Sequence, residues 1–164
     1  MNDGPARDRP ARDKPAQAGL NPEEFAAYSA LVAGSTLLQR AIEQNLHDQA
    51  DITQVQFEIL MQLVDAPEGI RMADLADRLI VSRSGLSYQV GQLEKAGLIS
   101  RERHEADERG IVARVTPKGA AMRDRVLPGH LEIVREALFD VLEPAELAAI
   151  SAGLGRVAER LRAS

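Results

Sequence analysis

The sequence predicts a mainly α-helical chain carrying one small β-hairpin, flanked by long N- and C-terminal helices. Three observations carry that expectation. Apolar residues recur at helical 3/4 spacing through most of the chain. Two short β-prone stretches, 98–103 and 111–115, stand either side of a polar, charged run, which is the pattern of a hairpin. Near the C-terminus, Leu147, Ile150, Leu154, Val157 and Leu161 are spaced 3, 4, 3 and 4 residues apart, the pattern of a helix seam.

Composition sets the outer limits. A length of 164 residues, 45% of them apolar, suffices for one domain with its own core. The absence of cysteine excludes a disulfide scaffold, a thiolate metal site and a thiol redox switch. No apolar run approaches the roughly 18–20 residues of a membrane span. No apolar stretch follows the N-terminal charges as it would in a secretory signal, so a cytoplasmic protein with no membrane partner is expected. The net charge is −5, and its distribution matters more than its sum. Residues 21–70 hold one basic residue, Arg40, against eight acidic, whereas residues 71–118 hold nine basic against seven acidic. A basic excess in mid-chain fits either uneven surface charge or a polyanion-binding surface, and local geometry has to choose.

Residues 1–20 are rich in Pro, Ala, Arg and Asp, with a near-repeat of Ala6-Arg7-Asp8-Arg9-Pro10 in Ala11-Arg12-Asp13-Lys14-Pro15. Prolines at that spacing forbid a continuous helix, so a flexible tail is expected, either idle or serving as a basic arm. The first helix should start at Asn21-Pro22-Glu23-Glu24, where Asn caps, Pro suits the first position and Glu24 completes a capping box. Phe25, Tyr28, Val32, Ser35, Ile42 and Leu46 carry it to about residue 47. Thr53 and Gln56 open a second helix with Phe57, Leu60, Leu63 and Val64 inward, broken at 65–69. A third, poorly capped helix spans about 72–79, with Met72, Leu75, Ala76 and Leu79 inward. After a tight connection at Ile80-Val81, Ser82 caps a fourth helix that Gly97 stops. The two strands follow, separated by the charged run 104–110. Thr116-Pro117 restarts helix to about residue 142, interrupted or bent near Pro128-Gly129, and a last helix begins at Pro144 with Glu146 near its positive end.

Two short helices, a sharp turn and a charged hairpin follow one another in the order of a winged helix-turn-helix. Winding the fourth helix at about 100° per residue puts Leu86, Val90 and Leu93 on one stripe. Ser84, Tyr88, Gly91 and Lys95 fall opposite, flanked by Ser87 and Gln92, with Glu94 toward the edge. A polar face free of carboxylates suits a major groove, and Ser82, Arg83 and Ser84 at the helix start suit phosphate contacts. Capping and solubilising an exposed helix is the competing reading of the same residues. In the hairpin, Arg109 before Gly110 is a candidate for the minor groove, with Asp107 orienting its guanidinium. Arg101, Arg103 and Arg114 would face phosphates or solvent.

The run Ser82-Arg83-Ser84-Gly85-Leu86-Ser87, followed by Leu93-Glu94-Lys95-Ala96-Gly97-Leu98-Ile99, Asp107-Glu108-Arg109-Gly110 and Val115-Thr116-Pro117-Lys118-Gly119, resembles the recognition helix and wing of the MarR family of transcriptional regulators. The resemblance spans roughly residues 22–162. It implies a dimerisation helix over 21–52, a winged helix-turn-helix DNA-binding region over 53–116 and dimerisation helices over 117–164. It further implies a homodimer on a pseudo-palindromic operator in double-stranded DNA, Arg109 in a minor groove, and response to a small aromatic or anionic effector. The repressor role and autoregulation are expected on the same ground. Lack of Cys and Trp removes the thiol-sensing and urate-responsive branches from that expectation.

The alternatives come from other classes. A winged-helix interaction module that does not bind DNA would account for the net negative charge. Zinc sensing would need converging ligands, and among His47, His104 and His130 the nearest grouping is His47 with Asp48 or Glu43; a lone His near a helix end is more often solvated. GxSxG elbows, phosphate loops and dinucleotide fingerprints are absent, so no catalytic residue, cofactor or metal is expected. Leu147, Ile150, Leu154, Val157 and Leu161 fit either an internal core or a dimer seam, and the long helices left to bury favour the seam.

Overall fold

A computed structural model describes residues 19–104 and 107–163, with the backbone alone at 104 and 107–109. The elements in order are α1 (Pro22–Ala50), α2 (Gln54–Val64), β1 (Ile70–Arg71), α3 (Met72–Leu79), α4 (Arg83–Lys95), β2 (Ile99–His104), β3 (Asp107–Val115), α5 (Pro117–Val134), a π-helical turn (Arg135–Phe139) and α6 (Pro144–Arg162). The chain falls into two units that meet in sequence between Gly34 and Ser35.

The described part of the first unit is the start of α1. Asn21 Oδ1 accepts from the Glu24 amide at 2.9 Å and Glu24 Oε2 accepts from the Asn21 amide at 2.8 Å, the reciprocal cap that the sequence predicts. Phe25, Tyr28, Leu31 and Val32 are all exposed in this unit.

The second unit holds the core. Leu46 of α1, Phe57, Ile59, Leu60 and Leu63 of α2, Leu75 of α3, Leu86 and Val90 of α4, and Val126 of α5 are each at most 1% exposed. No charged or polar residue is buried with them among the described residues. Val64, expected inward, is only half-buried, and Ile59 takes the inward place. α2 carries the full capping box at Thr53 and Gln56.

The sheet has three antiparallel strands in the order β1-β3-β2. Ile99 pairs with Val115 and Arg101 with Ala113, and a bulge falls between Arg103 and His104. Two differences from expectation follow. β1 pairs Ile70 with Ala113 and Arg71 with Val112, a two-residue strand too short to leave a period-2 pattern in sequence. β3 begins at Asp107, not near 111, because ladder hydrogen bonds outlast the apolar alternation and carry polar residues into the hairpin. Accordingly Val112 and Ala113 are buried while Ile111 is 46% exposed.

Turns set the angles between elements. Ile80 caps α3 in the left-handed region at φ 56°, and the Val81 amide reaches back to the Ala76 carbonyl at 3.1 Å. A β-branched residue there is strained, and the tight turn into α4 enforces it. Gly97 takes φ 72° after α4, the stop read from sequence. Gly119 is required by proximity: a Cβ there would overlap the Leu98 carbonyl oxygen. Pro128 does not interrupt the helix: α5 runs through it to Val134, and the helix departs from α geometry at Arg135–Phe139. One proline removes one backbone donor, and Val126, fully buried, anchors that stretch to the core.

Candidate nucleic-acid interface

The surface is built on α4. Ser82, extended at φ −66° and ψ 148°, caps it, its Oγ accepting from the Gly85 amide at 3.1 Å. The Ser84 Oγ lies 3.3 Å from that of Ser82. Leu86, Val90 and Leu93 pin the underside to the core. Arg83, Ser84, Ser87 and Lys95 are exposed, Tyr88 is 64% exposed, and Gly91 and Gln92 at the flank are half-buried. The helix therefore presents hydroxyls, a phenol and a lysine to solvent. Further contacts hold it in place. Gln56 Nε2 of α2 donates to Gln89 Oε1 of α4 at 3.0 Å. Lys118 Nζ donates to the Ala96 carbonyl at 2.8 Å, a cation at the negative helix end.

The β2–β3 ribbon lies beside α4. Arg101, a candidate phosphate contact, is engaged internally: its Nε donates to Glu94 Oε2 at 2.9 Å and its Nη2 bonds the same oxygen. The guanidinium holds the Glu94 carboxyl below the usual carboxylate range, and the carboxylate in turn raises the arginine. Arg114 is also tied down, donating to the Pro67 carbonyl at 2.8 Å and lying 3.3 Å from Glu102 and 3.9 Å from Glu68. Arg103 is exposed. The side chains of Asp107 and Arg109 lie outside the described residues; the backbone puts both at the start of β3, with Asp107 opposite His104.

Three features escaped the sequence reading. One is the Glu94–Arg101 pair, foreshadowed only by Glu94 sitting at the edge of the α4 face. Another is the Lys118 contact. The third is an open cavity of about 550 Å³ between α1, the start of α2, the α3–α4 turn and α4, lined among others by Arg40, Glu43, Gln54, Glu58, Leu79, Val81 and Gln89. Glu43 Oε2 accepts from the Gln54 amide at 2.7 Å, and Gln54 Nε2 donates to Glu58 at 2.9 Å, so both carboxylates are engaged. A neighbouring cavity of about 480 Å³ shares Arg40, Glu43 and Thr53 and reaches His47 and Asp51. His47 Nδ1 lies 2.9 Å from Asp51, not paired with Asp48 or Glu43. Among the described residues no group of three or more His, Asp or Glu side chains converges as metal ligands. His104 lies outside the described side chains. His130 is on α5, its ring 4.9 Å from that of Phe57.

The C-terminal seam residues are Leu147, half-buried, and Ile150, Leu154, Val157 and Leu161, which are 40, 41, 50 and 71% exposed. α6 buries none of its residues fully.

A capped helix with an apolar underside and a polar outer face, preceded by a short helix and a tight turn and followed by an antiparallel ribbon, defines a winged helix-turn-helix. The sequence model described as the MarR family matches residues 50–110. The chain is 30% identical over 146 residues to the HTH-type transcriptional regulator PecS of Dickeya dadantii, covering 87% of this chain and 86% of that one. Among solved structures, AbsC of Streptomyces coelicolor, a MarR family transcriptional regulator, superposes with a TM-score of 0.85 at 33% identity, over 89% of this chain and 99% of that one. Sco3205, a MarR family regulator from the same organism solved in complex with DNA, also gives 0.85, at 32% identity over 92% and 93%. The chain belongs to the MarR family, and it is a DNA-binding transcriptional regulator.

Proposed function

We propose that the protein acts as a homodimeric, ligand-responsive repressor in the cytoplasm, on a pseudo-palindromic operator that includes its own upstream region. The observation that carries this reading is the outer face of α4, where Ser84, Ser87, Tyr88 and Lys95 stand exposed over a buried apolar stripe. In this reading Ser82, Arg83 and Ser84 hold phosphate near the helix N-terminus, while Ser87, Tyr88 and Gln92 meet base edges. Lys95, Arg101 and Arg103 meet the backbone. Arg109, oriented by Asp107, enters the adjacent minor groove.

Residues 53–116 form the DNA-binding region in this account, and residues 21–52 and 117–164 form the dimer. The seam of α6 supports that division, because Ile150, Leu154, Val157 and Leu161 are apolar, heptad-spaced and open to solvent in the protomer. A two-fold dimer would present its two α4 helices about 34–36 Å apart, one duplex turn, and so read half-sites about 10 bp apart.

The 550 Å³ cavity supports ligand response. It is of a size for a small molecule. Arg40, with no ion pair among the described residues, offers a cation to an aromatic or anionic effector, and Gln89 in its wall belongs to the DNA-reading helix. A ligand seated there would touch the contact by which Gln56 holds α4.

Gel retardation on the protein's own upstream region tests the reading. Sequence-selective retardation at moderate salt, released by a ligand that raises the melting temperature, is expected. Equal retardation of unrelated duplexes would contradict operator specificity, and a monomer at micromolar concentration would contradict the dimer.

A further inference from the structure

We propose that Glu94 sets an upper limit on DNA affinity by holding Arg101 in an internal ion pair with which phosphate must compete. The inference rests on the reading that α4 and the wing face one duplex.

Glu94 is the single carboxylate of α4. It sits in the last turn, where the negative end of the helix dipole disfavours it, and at the edge of a surface meant for a polyanion, where its charge repels. A helix selected only for tight binding has no use for it. Its partner is Arg101 of β2, seven residues on, held through Nε at 2.9 Å and through Nη2. The two side chains keep 34% and 36% of their surface in solvent, so the pair is not sealed in the core. Two of the five guanidinium donors are committed to Glu94, and the remaining N–H groups stay available to an incoming oxygen.

The other cations of this surface behave differently. Arg114 is a strut with partners on three sides, Pro67, Glu102 and Glu68. Arg83 and Arg103 carry no ion pair among the described residues. Arg101 is therefore a cation whose charge is cancelled at contact distance by a partner that is itself accessible. When the wing docks, phosphate gains Arg101 only by sharing it with a carboxylate or displacing it. The outcome is a site that binds and releases DNA more readily than its count of basic residues implies.

The experiment is a double-mutant cycle on the full chain, with binding to one operator duplex measured by fluorescence anisotropy at several salt concentrations. Glu94→Gln keeps the shape and a hydrogen-bond acceptor but removes the charge. It is expected to tighten binding about threefold to tenfold near 0.15 M salt and to steepen the slope of log K against log salt by about 0.9, the increment of one additional phosphate contact. The gain should extend to unrelated duplexes, because a phosphate contact carries no sequence information. In an Arg101→Ala background, Glu94→Gln should no longer steepen the slope. If Glu94→Gln steepens it equally with and without Arg101, Glu94 acts by direct repulsion and the proposal is wrong. If Glu94→Gln weakens binding at an unchanged Tm, the pair aids docking and the proposal is again wrong. Should Glu94→Gln melt too low to assay, Glu94→Asp, whose side chain is one methylene shorter and so loosens the pair, should move affinity the same way by less; no movement would overturn the idea. Failure of the wild-type chain to bind any duplex would instead strike at the functional reading.

Discussion

Tyr88 keeps 64% of its surface in solvent near the centre of a helix whose opposite side carries the buried Leu86, Val90 and Leu93. In the proposed reading this exposed phenol meets base edges. Replacing Tyr88 or Ser87 by Ala should therefore redistribute preference among operator variants, seen as a changed ranking in a binding competition, with the salt slope nearly constant. Arg109→Ala should behave differently, weakening binding to operators by about 1–3 kcal/mol, roughly fivefold to 150-fold. Unchanged affinity and salt slope would remove Arg109 from the interface. Gly119 tests the scaffold. A methyl group there meets the Leu98 carbonyl, so Gly119→Ala should cost about 1–3 kcal/mol and lower Tm by a few degrees in a thermal melt.

At the scale of elements, the packing of α5 on α2 makes stability depend on pH. His130 packs against Phe57 with the rings tilted by 49°, its Nδ1 buried without a hydrogen-bond partner, and desolvation lowers its pKa despite the opposing pull of Glu58. The unfolded chain therefore binds the proton more readily than the folded one. His130 favours folding fully above its unfolded value of about 6.5, and that contribution is lost as pH falls through the folded value. Tm should decline between pH 7.5 and 5.5, and His130→Phe should flatten that decline; an equal slope in the variant would contradict the assignment. Most elements were legible in the sequence because their caps are local: Asn21 with Glu24, Thr53 with Gln56, Ser82 and Thr116 each act within three residues. The elements that were not legible depend on distant partners. β1 exists only through Ala113 and Val112, and the π-helical turn at Arg135–Phe139 carries no local sequence signal.

At the scale of the whole molecule, the second unit has a core of buried apolar residues and leaves an apolar face of α6 open. The assembly role of that face has a simple test. Leu154→Asp in the middle of the seam should shift the protein from dimer to monomer in light scattering after size exclusion, since a charge in a helix seam has no solvent to keep it. Persistence of a dimer would move the interface elsewhere. The polar face of α4 was legible from helical winding alone, because Leu86, Val90 and Leu93 leave one way for the helix to lie. The Glu94–Arg101 pair and the cavity beside Gln89 were not, since each joins residues from separate elements. Because the chain has no cysteine, Gln92→Cys creates a unique attachment point at the edge of that face. Cleavage of an operator duplex by an iron chelate attached there measures most directly whether α4 enters the groove. Two cleavage clusters about 10 bp apart, one per protomer, are expected. Diffuse cleavage along the duplex, or none while the protein remains bound, would contradict groove entry by α4.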